Sequence, residues 1–364
     1  MSCPGRDGSG CQCQVPVPAI LTIKDVQISC LHRPERANMA TSLPPLAVMI
    51  PPRVDLDGDD HQSTLARGTP EWLRRASLVR GALEAHGCVA VGCRRHVQPE
   101  LRERMLAAMA ELFALPAEMK RRTGDADGPY KSFGVLLPYM ERRESAACRH
   151  EAFGVLNAGA SAGDGAEARA FVARAWPDGN DRFLETLTTT AGEMTRLARV
   201  ILAMVIDSYG VAHRSDELVG TTDANFRMLR YCKEGSLGTS PPEPDEQPVV
   251  ALAAHVDGSY LTVLFQNDVD GLELRTRNGG EWVRAWSNGR VHAPLHRVAV
   301  GGREDRLSCG VFLQPSKNVV VDAPPELITA DAPRRFRPFA YVDYLRFKHA
   351  AGNVEDVLDR FAGM

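Results

Sequence analysis

The chain has 364 residues, of which 44% are hydrophobic and 24% charged, with a formal net charge of −3. That is the composition of a soluble globular protein long enough to bury a large core. The weak acidic balance offers no electrostatic footprint for nucleic acid or an anionic membrane, and no apolar run nears the roughly 20 residues that span a bilayer. The expectation is a cytoplasmic protein, by default a monomer, whose partner is a small molecule rather than nucleic acid or a membrane.

Nine cysteines are scattered, four of them (Cys3, Cys11, Cys13, Cys30) in the first 30 residues. No CxxC pair or tight framework exists, so a reduced protein is expected. Cys11-Gln12-Cys13 reads as incidental rather than as a metal clip. Residues 1–45 lack a basic segment followed by an apolar run, so they are not a secretory signal. Met39-Ala40-Thr41-Ser42 has the look of an ordinary protein start. The leader is therefore expected to lie outside the fold, either disordered or an artefact of the gene model.

Residues 46–220 read as a helical region. Ile50–Leu56 is a short strand. Thr69-Pro70-Glu71 starts a helix with a cap, a proline at the first position and an acid in the first turn, and it ends near Gly87. Cys88–Val91 is a small buried strand. Pro99 opens a second helix, with Leu101, Met105, Leu106, Met109, Leu112 and Phe113 at helical spacing, and Pro116 stops it. Residues 123–165 read as irregular, a connector or a loop over a site. Asp181–Tyr209 is the longest helix, with Met194, Leu197, Ile201, Met204 and Ser208 along one face and Gly210 at its end. Such a helix usually backs a sheet.

Residues 221–364 change character. Phe226–Tyr231 is strand-like, Ser236–Pro248 is a loop, and short strands follow at Val249–Ala254, Tyr260–Phe265, Leu272–Thr276, Val291–His292, Val298–Val300, Leu307–Leu313 and Val319–Val321. Asp270-Gly271, Asn278-Gly279-Gly280 and Asn288-Gly289 are turn signals between them. Many short antiparallel strands at this spacing mean a sandwich or barrel.

The chemistry lies between His255 and Ser308. Residues two apart on a strand share a face, so His255 and Asp257 project together. His296, from a distant strand, would complete a two-histidine, one-carboxylate set that binds Fe(II) and leaves positions open. Taken singly, His255 reads as an ordinary core or loop histidine, and Arg306 as half of a surface ion pair. Three features together favour a site. The apolar run Val249–Ala254 delivers His255 to a strand end. His296 shares a face with Val298 and Val300. Arg306 and Ser308 form a second two-apart pair, suited to gripping a carboxylate. A zinc hydrolase is the poorer reading, because Arg306 and Ser308 would then have no role.

The wording HVDGSYLTVLFQNDVDGLEL, SNGRVHAPLHRV and RLSCGVF resembles the plant-type 2-oxoglutarate- and Fe(II)-dependent dioxygenases. TPEW, ALEAHGCVAV and LFALPAEMK upstream and APPELI with FRPFAYVDYLRF downstream resemble the same family, so the likeness covers roughly residues 48–350. The FQN and VDGLEL wording and the MLRY segment are most similar to the branch named for glucosinolate side-chain dioxygenases, the AOP-like branch. The resemblance implies a mainly β fold with helical flanks, a double-stranded β-helix (jelly-roll) core packed on the α-rich N-terminal region. It implies His255, Asp257 and His296 as iron ligands and Arg306 and Ser308 as the pair that holds the distal carboxylate of 2-oxoglutarate. Tyr231 falls where the family often has a tyrosine touching that co-substrate, although Leu229 stands where an asparagine is usual. No catalytic residue is implied beyond the metal ligands. The cofactors implied are Fe(II), 2-oxoglutarate and O2, with ascorbate as reductant. The reaction implied is hydroxylation, desaturation or dealkylation of a small specialised metabolite or hormone, with succinate and CO2 as co-products. The pocket is expected to draw on residues 123–165, the strand near Phe226 and the segment Phe336–Tyr344.

One departure stands out. Members of the family carry a further segment between Val283 and Ala285, about two short strands and their turn. The core is therefore expected to lack about two strands. The alternative to an active enzyme is a truncated, inactive splice form or degenerate paralogue that keeps the metal ligands.

Overall fold

The helices begin and end where the chain carries the chemistry to cap them. The computed structural model describes residues 20–23, 51–57, 65–123, 150–159, 165–232, 249–274, 285–291, 295–301, 304–351 and 357–364. Helix α1 (Pro70–His86) starts with the Thr69 hydroxyl accepting from Trp72 N–H, and ends with Gly87 at φ 75°. Glycine takes that left-handed turn without steric cost and satisfies an orphan carbonyl of the last turn. Helix α2 (Pro99–Ala114) stops ahead of Pro116, and α3 (Ala117–Arg122) and α4 (Ala166–Ala175) are short. Helix α5 (Asp181–Ser208) is capped by the Asn180 carbonyl, which accepts from Phe183 N–H, and it buries Met194, Leu197, Ile201 and Met204. A one-turn helix, α6 (Ser215–Gly220), follows.

The strands are β1 (Ile20–Ile23), β2 (Arg53–Asp55), β3 (Cys88–Gly92), β4 (His150–Leu156), β5 (Thr222–Tyr231), β6 (Val249–His255), β7 (Leu261–Gln266), β8 (Leu272–Leu274), β9 (His296–Val300), β10 (Arg306–Pro315), β11 (Val320–Val321) and β12 (Phe339–Ala340). The main sheet has the order β2-β3-β1-β7-β10-β5-β4, and β6-β9-β8 form a smaller sheet. Strands β10, β5, β7 and β4 pair antiparallel, as do β6, β9 and β8.

The alternation of side chains on β5, β7 and β10 separates two cores. Phe226, Met228, Val263, Phe265, Cys309, Val311 and Leu313 face the helices and pack with α5 residues in one large apolar cluster. Leu229, Tyr231 and Leu264 face the other way and pack against Ala251, Leu252, Leu272, Val298 and Val300 of the smaller sheet. Two facing sheets backed by a long helix on one side is the arrangement expected, with α5 behind the sheet.

Several expectations are corrected. The leader was expected to lie outside the fold, yet Ile20–Ile23 is a strand of the main sheet, parallel to β3 on one side and to β7 on the other. The rest of residues 1–45 lies outside the described residues. Residues 123–165, read as irregular, contain β4, which pairs along β5 from His150–Tyr231 to Leu156–Asn225. Its sequence HEAFGVL lacks clean alternation because nearly all of it is buried, which hides the period-2 signal. Val291 is not in a strand; residues 285–289 make a helical turn, with Asn288 at φ 53° and Gly289 at φ 87°. The Ser236–Pro248 loop and the turn at Asn278-Gly279-Gly280 lie outside the described residues, as does the segment in which two strands were expected to be lacking. Among the described residues no helix is long and apolar enough to cross a membrane, and Cys88, Cys93, Cys232 and Cys309 are buried free thiols.

Candidate metal centre

Strand β6 ends at His255 and β9 begins at His296, and the two residues are cross-strand partners. Their rings lie 4.1 Å apart between centroids. The turn after β6 brings Asp257 Oδ1 to 3.6 Å from His255 Nε2 and 3.8 Å from His296 Nε2. One ligating atom from each of the three residues fits within a 4.8 Å span, the compactness a single small cation needs. Two imidazoles and one carboxylate on one face match a site for Fe(II) that leaves positions open.

Two of the three are held by further contacts, as metal-ligating groups usually are. His255 Nδ1 lies 2.9 Å from Ala253 O. A proton on Nδ1 satisfies that carbonyl and leaves the Nε2 lone pair toward Asp257. Thr262 Oγ1 donates to Asp257 Oδ2 at 2.9 Å and lies 3.0 Å from Ser259 Oγ. The 256–258 turn is tied to the helix α7 (Tyr341–Ala351): Tyr341 Oη donates to Gly258 O at 3.1 Å and Lys348 Nζ to Val256 O at 2.8 Å. Burial alone would raise the Asp257 pKa, but His296, His255 and Arg227 around it hold the carboxyl well below the usual range.

Arg306 and Ser308 lie on β10, across from Tyr231 and Leu229 of β5. Arg306 is 1% exposed. Its guanidinium donates to Gln266 Oε1 at 2.6 Å and to Ser308 Oγ at 3.3 Å, and stands 5.0 Å from the Tyr231 ring centre. Its Nε is buried without a hydrogen-bond partner. Among the described residues no carboxylate lies within ion-pair distance of it. Asp270 acts on it only at longer range; a buried cation without a close counter-charge is costly, and a bound carboxylate would lower that cost. Gly271, at φ 152°, makes the arrangement possible, because a Cβ there would lie 3.2 Å from Arg306 Cδ and 2.5 Å from Ala299 O.

One pocket joins these groups. It is lined by His255, Asp257 and His296, by Arg306, Ser308 and Tyr231, and by Arg227, Leu252, Leu264, Leu272, Val298 and Phe312. All six residues singled out from the sequence therefore meet in one cavity. Phe336, Phe339 and Tyr344, expected at the pocket, pack instead in the helix-side core. Of the segment 123–165, no described residue lines the pocket. The sequence reading missed Thr262, Gln266 and Arg227. Thr262 and Gln266 sit on β7 inside the quoted motif, where strand parity pointed to them. Arg227 shares the face of Tyr231 and Leu229.

Comparison with known proteins agrees with this geometry. Residues 225–315 match the family model described as the 2OG-Fe(II) oxygenase superfamily, a span running from β5 to the end of β10. A probable 2-oxoglutarate-dependent dioxygenase, AOP1, from Arabidopsis thaliana is 30% identical over 310 residues, covering 79% of this chain and 94% of that protein. The 2-oxoglutarate-dependent dioxygenase DAO from Oryza sativa subsp. indica is 33% identical over 290 residues, 73% of this chain and 87% of that protein. The crystal structure of the rice dioxygenase for auxin oxidation (DAO) aligns with a TM-score of 0.66 at 30% identity, over 86% of this chain and 99% of that one. A likeness that spans the helical region, both sheets and the site at once leaves one assignment: the chain belongs to the 2OG-Fe(II) oxygenase superfamily and is a 2-oxoglutarate-dependent dioxygenase of the AOP- and DAO-like kind.

Proposed function

We propose that His255, Asp257 and His296 hold Fe(II), that Arg306 with Ser308 and Tyr231 takes the distal carboxylate of 2-oxoglutarate, and that the enzyme oxidises a small specialised metabolite or hormone by hydroxylation, desaturation or dealkylation. The observation that carries this is the meeting, in one pocket, of the three metal-type ligands with a buried guanidinium that has no carboxylate within ion-pair distance among the described residues. Iron with 2-oxoglutarate and O2 supplies the oxidising power when bound, and succinate and CO2 are the co-products.

The residues do the positioning. The hydrogen bond from His255 to Ala253 O fixes the ring, and Thr262 fixes the Asp257 carboxylate so that Oδ1 faces both imidazoles. The forked Arg306 guanidinium gives a carboxylate two parallel donors, and Gln266 holds that fork in place. Leu252, Leu264, Leu272, Val298 and Phe312 make the walls apolar, which excludes water and strengthens the polar contacts inside. The test is succinate release measured with Fe(II), 2-oxoglutarate and O2, each omitted in turn. Release that continues without 2-oxoglutarate or after chelation of iron would refute the assignment.

A second reading, the inactive short form, has its own observation. Only 38 residues separate Asp257 from His296, and among the described residues they hold two strands, β7 and β8. Against it, β1 covers the side of β7 away from β10, so that edge is not left open. Sequencing the transcript across the codons for Val283 to Trp286 separates the two. An inserted in-frame segment makes this chain a shortened version of an active enzyme. The short form as the sole transcript, with no succinate released, favours the inactive reading.

A further inference from the structure

His150 is a buried titratable side chain beside the pocket to which the proposed function gives no task. It opens β4, is 7% exposed, and pairs across the sheet with Tyr231. The strand order β10-β5-β4 puts Arg306 on one side of Tyr231 and His150 on the other. Both neighbours touch the tyrosine ring. The His150 ring stacks on it with centroids 5.7 Å apart and planes 29° apart, and the Arg306 guanidinium stands 5.0 Å from its centre. Tyr231 is thus gripped from both flanking strands.

His150 is itself held by the opposite sheet. Its Nδ1 lies 3.0 Å from Ala251 O on β6. A carbonyl only accepts, so Nδ1 carries the proton. Burial pushes the ring below the ordinary histidine pKa, so it is neutral and this N–H is its one donor. Ala251 is the extra residue of a bulge: Val250 pairs with Ala299 and Leu252 with Val298, which leaves Ala251 no partner on β9. Among the described residues β4 and β6 are the outer strands of their sheets. The hydrogen bond therefore bridges the seam between the sheets and satisfies a carbonyl of the bulged residue. Resting on the assignment of 2-oxoglutarate to this pocket, we infer that His150 is a positioning residue for the co-substrate: anchored to the Ala251 carbonyl, it fixes the Tyr231 ring, and through that ring the Arg306 fork, in the orientation that receives the distal carboxylate. Such a grip tolerates only small angular errors. With His150 in place the tyrosine is ordered before the ligand arrives. Without it, binding has to order the ring and is weakened by that entropy.

The test uses the full chain loaded with Fe(II), without O2, and calorimetric titration with 2-oxoglutarate. His150→Phe keeps a ring against Tyr231 and loses the N–H. His150→Asn keeps an N–H near the Nδ1 position and loses the ring. Each is expected to raise Kd about threefold to tenfold, and His150→Ala, which loses both contacts, about tenfold to a hundredfold. Iron affinity, read by competition with a metal-indicator chelator, stays unchanged. Phe153→Leu, in the helix-side core on the other face of β4, lowers the melting temperature and leaves Kd unmoved. In a Tyr231→Leu background His150→Ala adds no further loss, because the residue acts through that tyrosine. Wild-type Kd in all three His150 variants would overturn the inference. So would a Kd loss that Phe153→Leu reproduces, or one that persists in full without Tyr231. Where His150→Ala does not fold, the Phe and Asn variants answer by the same criteria. Failure of the wild-type chain to bind 2-oxoglutarate at all would instead overturn the underlying assignment of the pocket.

Discussion

Replacing Arg306 with methionine separates a ligand-binding arginine from a structural one, because the two roles predict opposite effects. In the ligand-free protein the substitution removes the hydrogen bond to Gln266 Oε1. A buried acceptor left alone costs about 1–3 kcal/mol. It also removes a guanidinium that is 1% exposed and whose Nε has no partner. Relief from burying an unpaired charge is worth several kcal/mol of the opposite sign, and methionine fills much of the same volume. The two contributions offset, so the melting temperature without ligand is expected to stay the same or rise. With 2-oxoglutarate the balance reverses. Two charge-assisted hydrogen bonds to the distal carboxylate, at about 1.5–3 kcal/mol each, amount to a loss of roughly 100- to 10,000-fold in Kd. The wild-type protein gains about 2.7 kcal/mol of stability at 2-oxoglutarate concentrations of 100 times Kd, and the variant loses that shift. Calorimetry gives Kd and thermal denaturation with and without 2-oxoglutarate gives the stabilities. A variant that melts far below wild type without ligand, or binds 2-oxoglutarate within tenfold of wild type, would refute the reasoning.

Three further outcomes are expected. Thr262→Val removes the donor to Asp257 Oδ2 and should weaken iron affinity about 10- to 100-fold, measured by competition with a metal-indicator chelator; unchanged affinity would mean that the carboxylate is oriented by other contacts. Deletion of residues 1–45 removes β1, which pairs on both sides. At about 1 kcal/mol per ladder hydrogen bond that costs several kcal/mol and bares an edge of β7, so the truncated chain should melt lower and sediment as aggregate; equal stability and a single monomeric species would show the leader to be dispensable. Hydrogen bonds from Arg74 and Arg75 hold Glu71 at about 2, below its ordinary 4.5. A depressed carboxylate pKa contributes stability that is present above the unfolded value and is lost as pH falls from about 4.5 toward 2. Glu71→Gln should therefore flatten the acid limb of the stability curve in that window and leave the neutral limb nearly parallel to wild type.

Local chemistry along the chain determined the helices. Thr69-Pro70-Glu71, Pro99, Asn180 and the glycines at 87 and 210 act on their immediate neighbours, so their effect is legible without knowing what packs nearby. Strand parity likewise put Arg306 with Ser308, since side chains two apart on an extended chain share a face whatever the sheet does; Asp257 lies past the end of β6 and reaches His255 through the turn that follows. What sequence periodicity does not carry is which strands become neighbours. β4 is buried along nearly its whole length and therefore shows no alternation, and β1 is four residues in a leader whose composition suggests no structure. Both take their place through backbone pairing with distant strands. The meeting of His255 with His296 and the placing of Arg306 beside Gln266 and across from Tyr231 both come from register between segments far apart in the chain. Register depends on long-range packing, and that was decided only in the tertiary structure.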